Sequence, residues 1–253
     1  MNLIASPPNI NVPEDARGEY REMLIRLMTR QIYAETATAE VFGRAISAAP
    51  NWKEKELAAE FAAEEARHSR GLYDLLRNLG EDPEKIIAGR PDAADFWGLN
   101  LDNWLDIAVF NFTVDRAGSH QIMEYRESSY IPWGESQEEV LEDEEDHYDN
   151  GVENLKQFAK EPAKLAEFQK IFDRVLPNCL KRAFGRLEGA DNDFCLQHGL
   201  KRNKTEDIIN RYLREMHGHM DGTGLMFPPI SAFEAIKCEL ADSTREILLL
   251  LQR

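Results

Sequence analysis

A chain of 253 residues, 43% of them hydrophobic, can bury one sizeable core or at most two. Its 46 acidic against 30 basic side chains give a net charge of −16, which argues against nucleic acid and anionic membrane as partners. No apolar run approaches the ~20 residues of a membrane span, and no basic-then-apolar leader opens the chain. Cys179, Cys195 and Cys238 stand alone without a C-x-x-C pair, which fits a reducing cytoplasm.

Residues 1–16, with Pro7, Pro8 and Pro13, read as an extended arm. From about Arg17 to Ala48, Leu24, Met28, Ile32, Ala39, Phe42 and Ile46 recur at helical spacing, and Glu35 stands in the middle of that stripe. The turn is expected around Pro50, with Asn51 and Glu54 starting a second helix that covers about Lys53 to Asn78 and stops at Gly80. Its stripe, Leu57, Phe61, Leu72, Leu75 and Leu79, contains Glu65 and His68. Residues 80–101 are too long for a tight turn and carry Pro83, Gly89, Pro91 and Gly98. They are expected to form a crossover holding a short helix near Pro83 to Ala88.

A third helix, about Asp102 to Glu127, puts Trp104, Ala108, Phe112, Asp115, Ser119 and Ile122 on one face. Ser136 and Glu139 read as a capping box for a fourth, about Ser136 to Ala159. Val140, Leu141, Val152, Leu155 and Phe158 form its stripe, and Glu144 and His147 lie in it. A fifth helix, Ala163 to Leu187, reads as a packing helix. An irregular polar loop follows, then a helix from near Thr205. Ser231 and Glu234 are expected to cap one last amphipathic helix with Phe233, Ile236, Leu240, Ile247, Leu248 and Leu251 on its stripe. That stripe either docks on the bundle or meets a partner subunit. The chain thus divides into an arm (1–16), a main domain (17–228) and a C-terminal helix (229–253).

The chemistry lies in a repeated spacing. Glu65 and His68 are i, i+3, one turn apart on the same side of a helix, and so are Glu144 and His147. Each pair follows a lone carboxylate: Glu35 lies 30 residues before Glu65, and Asp115 lies 29 before Glu144. One Glu-x-x-His is expected roughly once by chance in a chain so rich in Glu. A spaced double set within apolar stripes is not, because burying such charges is costly unless something compensates them. Glu124 competes with Asp115 but falls too near its helix end to stand level with Glu144. His120, five residues beyond Asp115, reads as surface or supporting, and His217 and His219 as surface histidines.

Four helices carrying acid, acid-x-x-His, acid, acid-x-x-His supply the ligands of a bundle that holds two metal ions between carboxylates. The resulting fold class is all-α: a ferritin-like four-helix bundle with a long crossover between helices two and three and additional C-terminal helices. The candidate metal and catalytic residues are Glu35, Glu65, His68, Asp115, Glu144 and His147. Four carboxylates and two imidazoles carry a net charge of −4, which two divalent ions neutralise. The absence of thiolates favours two iron ions, with manganese possible. Iron pairs so held activate dioxygen. Phe42, Phe61 and Phe112 are candidates for an apolar lining that excludes water and admits an organic substrate. Glu64, Asp143 and Asp146 are candidates to orient the histidines.

The motifs also resemble a known family, the catalytic subunits of bacterial phenylacetyl-CoA epoxidase. The resemblance spans roughly Gly18 to Pro228 and rests on Tyr33-Ala34-Glu35, Glu65-Ala66-Arg67-His68 with Gly71-Leu72-Tyr73, and Leu79-Gly80. It continues through Trp104-Leu105-Asp106-Ile107, Val114-Asp115, Glu144-Glu145-Asp146-His147, Gly199-Leu200-Lys201-Arg202 and Arg211-Tyr212-Leu213. It implies the same six ligands, with Asp as the third-helix ligand, and O2-dependent epoxidation of an aromatic or related acyl-CoA. It further implies electrons from a separate NADPH reductase, and a homologous non-catalytic subunit or homo-oligomer as partner. Residues 229–253 have no counterpart in that resemblance. Three alternatives stay open: an iron-oxidising or iron-storing protein sharing the ligands, an oxygenase with a non-CoA substrate, and a non-enzymatic scaffold subunit.

Overall fold

The structure, a computed structural model, describes residues 9–187 and 189–251. The first part of the arm, residues 1–8, lies outside the described residues. The remainder runs over the turn between the third and fourth rods: Ile10 donates to Ser129 O and accepts from Ile131 N–H, and Pro13–Asp15 form one 3₁₀ turn.

Helices α1 (Gly18–Ala48) and α2 (Trp52–Asn78) form a long antiparallel hairpin. The turn falls where the sequence puts it. Asn51 caps α2 by accepting the Glu54 N–H at 3.1 Å, and Gly80 takes a φ of +83° that most side chains would resist. The crossover contains the expected short helix, α3 (Pro83–Ala88), and a second one, α4 (Ala93–Trp97). Asp92 caps α4 through the Ala94 and Asp95 N–H groups.

The third rod is built from α5 (Trp104–Phe110), a π-helical turn (Asn111–Asp115) and α6 (Arg116–Arg126). The fourth is α8 (Gln137–Phe158), entered through the short α7 (Ile131–Glu135). The Ser136 capping box expected from sequence does not form. Ser136 is helical (φ −69°), and its hydroxyl donates to Trp133 O at 2.8 Å. Because α7 leads into α8 through a helical residue, no extended N-cap is available there.

Helix α9 (Pro162–Cys179) continues into a second π turn (Leu180–Phe184) and covers α5 and the first π turn. The polar stretch expected to be irregular contains α10 (Ala190–Gln197). Helix α11 (Thr205–Met220) packs beside α6. The single C-terminal helix expected from sequence is two helices, α12 (Ile230–Ala235) and α13 (Asp242–Leu251). The chain breaks at Lys237, whose φ of +55° is incompatible with continuing a right-handed helix. Pro229, not Ser231, occupies the α12 N-cap. Phe233, Leu240, Ile247 and Leu248 are buried in the main core, α12 against α9 and α13 against α11. The fold is all-α, and among the described residues no helix is long and apolar enough to cross a membrane.

The core is divided, which decides where charge can sit. Leu24, Met28 and Ile32 of α1 join Leu72 and Leu76 of α2 in one apolar cluster with Tyr130 and Trp133. Ala37, Val41 and Phe42 join Ala58 and Phe61 in another with Phe110, Phe112 and Phe172. Glu35 on α1, and Glu65 and His68 on α2, fall in the gap between these clusters.

Candidate metal centre

Each candidate side chain is fixed by its rod. Glu35 comes from α1, Glu65 and His68 from α2, Glu144 and His147 from α8, and Asp115 closes the π turn of the third rod. All six are buried. The π turn has two supports that spacing alone does not reveal. Gly151 of α8 lies so close to it that an added Cβ would be 2.5 Å from the Phe112 nitrogen. The Tyr212 hydroxyl of α11 donates to Thr113 O at 2.9 Å, satisfying a carbonyl within the turn.

Glu35, Glu65, His68 and Glu144 each offer one ligand atom, and those atoms lie within 4.8 Å of one another. His68 Nδ1 is 3.7 Å from an oxygen of Glu35 and 3.7 Å from Oε2 of Glu65. His147 Nδ1 is 3.4 Å from the other oxygen of Glu65. Glu65 therefore stands between the two imidazoles, one oxygen toward each. Asp115 shares one cavity with Glu35 and Glu144, and it interacts electrostatically with His147, Glu65 and Glu35.

A donor inventory shows what this layer lacks. Both oxygens of Glu65, Nδ1 of His68 and His147, Oδ2 of Asp115 and Oε2 of Glu144 are buried without a hydrogen-bond partner. Buried polar atoms are otherwise almost always paired. The set is made of carboxylate oxygens and imidazole nitrogens, as borderline and hard divalent cations require. The buried Glu and His cluster fits a metal ion of that kind.

Without a metal the layer holds its charge by taking up protons. Burial drives Asp115 and Glu144 well above the usual carboxylate range, and it carries Glu35 to about 7 against the opposing pull of His68. Burial also acts to raise Glu65, but the imidazoles of His147 and His68, one beside each of its oxygens, outweigh it and bring the group down to about 2. The imidazoles respond in the opposite sense. Burial disfavours their charge, yet Glu35 and Glu65 raise His68 to about 12, and Glu65 with Glu144 raises His147 to about 10.

Around the six lies a crossed set of partners. His68 Nε2 meets Asp143 Oδ2 at 3.0 Å, and His147 Nε2 meets Glu64 Oε2 at 3.0 Å. Each histidine is thus oriented by the residue preceding the Glu of the other motif. Arg67 reaches both outer carboxylates, 3.6 Å from Glu64 and 3.7 Å from Asp143. Asp146, the third candidate, is exposed and takes no part. A network that sequence reading missed fixes Glu35. Gln31 Nε2 donates to Glu35 at 3.0 Å and to Gln137 at 2.7 Å, while Gln31 Oε1 accepts from Trp133 Nε1 at 2.9 Å. The signal was present, since Gln31 precedes Glu35 by four residues on the same face.

Other candidates fall elsewhere. Glu124 accepts from the Arg202 and Asn203 backbone and from Arg211. His120 is buried, not at the surface: Glu215 lies 3.1 Å from its Nε2, and Arg211 Nε donates to its Nδ1. His217 stacks beside Phe227 and His219 meets the edge of Tyr148.

A cavity of about 240 Å³ opens onto Glu35, Asp115 and Glu144. Its walls come from Ala34, Trp97, Val114, Ile122 and Tyr125, with Arg30 and Arg182 also lining it. The phenylalanines expected to line it do not. Phe42 and Phe61 pack on the His147 ring, at centroid separations of 5.2 and 4.2 Å, and Phe112 faces Phe168 and Phe172. All three are buried in the larger apolar cluster.

Comparison with the curated proteins finds no match. A family model described as phenylacetic acid catabolic protein matches residues 3–236, nearly the whole chain. The match extends past Pro228, where the motif resemblance stopped, and takes in α12. The chain belongs to the phenylacetic acid catabolic protein family.

Proposed function

We propose that this chain is the oxygenase component of a dioxygen-dependent monooxygenase, with two iron ions held by Glu35, Glu65, His68, Asp115, Glu144 and His147. The observation that carries the reading is the set of buried oxygens and nitrogens without hydrogen-bond partners on Glu65, His68, Asp115, Glu144 and His147, of which Asp115 and Glu144 also line a largely apolar cavity. The iron pair, when bound, supplies the two-electron reduction of dioxygen. Glu65, with one oxygen toward each imidazole, would be among the residues that hold the iron, and Asp143 and Glu64 hold the histidine Nε2 protons so that each Nδ1 faces Glu65.

The substrate is proposed to be an aromatic acyl-CoA of the phenylacetyl type. An apolar cavity of ~150 Å³ already accommodates benzene, so about 240 Å³ is enough for a substituted ring. Phenylacetate catabolism, which the family serves, supplies the rest of the reading. The balanced reaction consumes one O2, one NADPH and one proton, and yields the ring epoxide, water and NADP+. The NADPH is oxidised by a separate reductase, because the sequence carries neither a dinucleotide fingerprint nor a cysteine cluster.

The test is oxygen uptake by the iron-loaded chain with a reductase, NADPH and phenylacetyl-CoA. Substrate-dependent uptake and a product heavier by one oxygen atom support the proposal. Oxygen uptake driven by ferrous iron alone, with many irons stored per chain, would replace it with an iron-storage role.

A further inference from the structure

Gln121 lines the same cavity and is buried, and its two amide ends are not interchangeable. Its Oε1 accepts from Lys201 Nζ at 3.3 Å and from the Tyr125 hydroxyl at 3.4 Å. An ammonium group has donors only, so the amide oxygen must face it. Turning the amide round would set N–H against N–H. The end left without a hydrogen-bond partner is therefore Nε2. A buried amide N–H without an acceptor is costly, and a ligand oxygen would relieve that cost. Lys201 is buried, and burial with the nearby Arg30 charge brings its pKa down to about 8, so at neutral pH it remains mostly a cation and a donor.

We propose that Gln121 Nε2 donates a hydrogen bond to a carbonyl oxygen of the substrate, with Lys201 as the positioning residue that fixes the direction of the amide. The ligand class is an apolar ring bearing a carbonyl group. The ring faces Glu35, Asp115 and Glu144, and the carbonyl is held at the Gln121 wall. The identification of that carbonyl with a CoA thioester rests on the function proposed above, whereas the carbonyl anchor itself does not.

Two pairs of probes separate these claims, measured by calorimetric binding to the metal-free full chain. One pair is phenylacetyl-CoA and its thioether analogue, in which CH2 replaces the carbonyl. The other is phenylacetamide and propylbenzene. The wild-type chain should favour the carbonyl member of each pair it binds by roughly 10-fold. Gln121→Leu should bind both members equally. Gln121→Glu keeps an acceptor for Lys201 and Tyr125 but has no donor to offer, so it should lose the preference too, even where Gln121→Leu folds poorly. Lys201→Met should weaken the preference without abolishing binding. Equal binding of both members by the wild type, or a preference retained in Gln121→Leu or Gln121→Glu, overturns the proposal. A Gln121-dependent preference for phenylacetamide with no binding of phenylacetyl-CoA upholds the anchor and removes the thioester reading.

Discussion

Glu64 Oε2 lies 3.0 Å from His147 Nε2, so the residue just before the first acid-x-x-His motif orients the histidine of the second. Asp143 does the same for His68 in the other direction. Glu64→Gln and Asp143→Asn should each lower metal affinity by roughly 10- to 100-fold, since outer partners of metal-bound histidines carry effects of that size. The crossing adds a sharper expectation. Glu64→Gln should perturb the His147 ring resonances more than those of His68, and Asp143→Asn the reverse. NMR of the imidazole nitrogens checks this, and equal or opposite perturbation contradicts it.

Metal uptake should release protons. In the metal-free chain His68 and His147 have pKa values raised to about 12 and about 10, and burial raises Asp115 and Glu144 as well. At pH 7 both imidazoles therefore carry a proton that a metal must displace. Affinity should rise with pH across the neutral range, and at least two protons per chain should appear in the buffer. The sign for stability follows from the same shifts. Histidines with raised pKa values favour the metal-free fold fully below about 6.5, the ordinary histidine value, and lose that contribution as pH rises through 10 to 12. Asp115 and Glu144 instead cost stability as pH climbs above the ordinary carboxylate range. Calorimetry of metal binding in buffers of different ionisation enthalpy measures the proton count.

Gly151→Ala and Gly118→Ala should separate packing from function. At Gly151 a Cβ would be 2.5 Å from the Phe112 nitrogen and 2.8 Å from the Asn111 carbonyl carbon, both backbone atoms that cannot move aside cheaply. Overpacking of that kind costs about 1–3 kcal/mol, or about 2–4 °C in Tm per kcal/mol in a chain of this size. The displaced π turn should take Asp115 and metal affinity with it. At Gly118 the nearest atom to a new Cβ is Glu144 Oε2 at 3.9 Å, so Tm should hold while the cavity narrows. Thermal unfolding with and without metal checks both.

Much of this was legible in the residues because the centre is built from helix periodicity. The i, i+3 spacing of Glu65–His68 and Glu144–His147, and their places within apolar stripes, follow from 3.6 residues per turn. The hairpin turn at Pro50 follows from matching Glu35 with Glu65. What stayed hidden depends on contacts between elements distant in sequence. The π turn that presents Asp115 is stabilised by Gly151 and Tyr212, which no local pattern ties to it. The Gln31–Trp133–Gln137 network joins two stretches of chain about a hundred residues apart. The cavity lining was misjudged for a related reason. Phe42, Phe61 and Phe112 sit on the expected faces of their helices, but their rings pack on His147, Phe168 and Phe172, and a stripe does not show which of its members will border a cavity. The C-terminal stripe read as one helix because Lys237, with its left-handed backbone, carries no glycine-like signal.

The most direct test of the account is the iron content of the full chain after anaerobic loading with ferrous iron and gel filtration, for the wild type and for Glu65→Ala. Two irons per chain in the wild type, with both lost in the variant, is the predicted result, because Glu65 faces both imidazoles. No iron in the wild type, many irons per chain, or two irons retained after Glu65→Ala would contradict it.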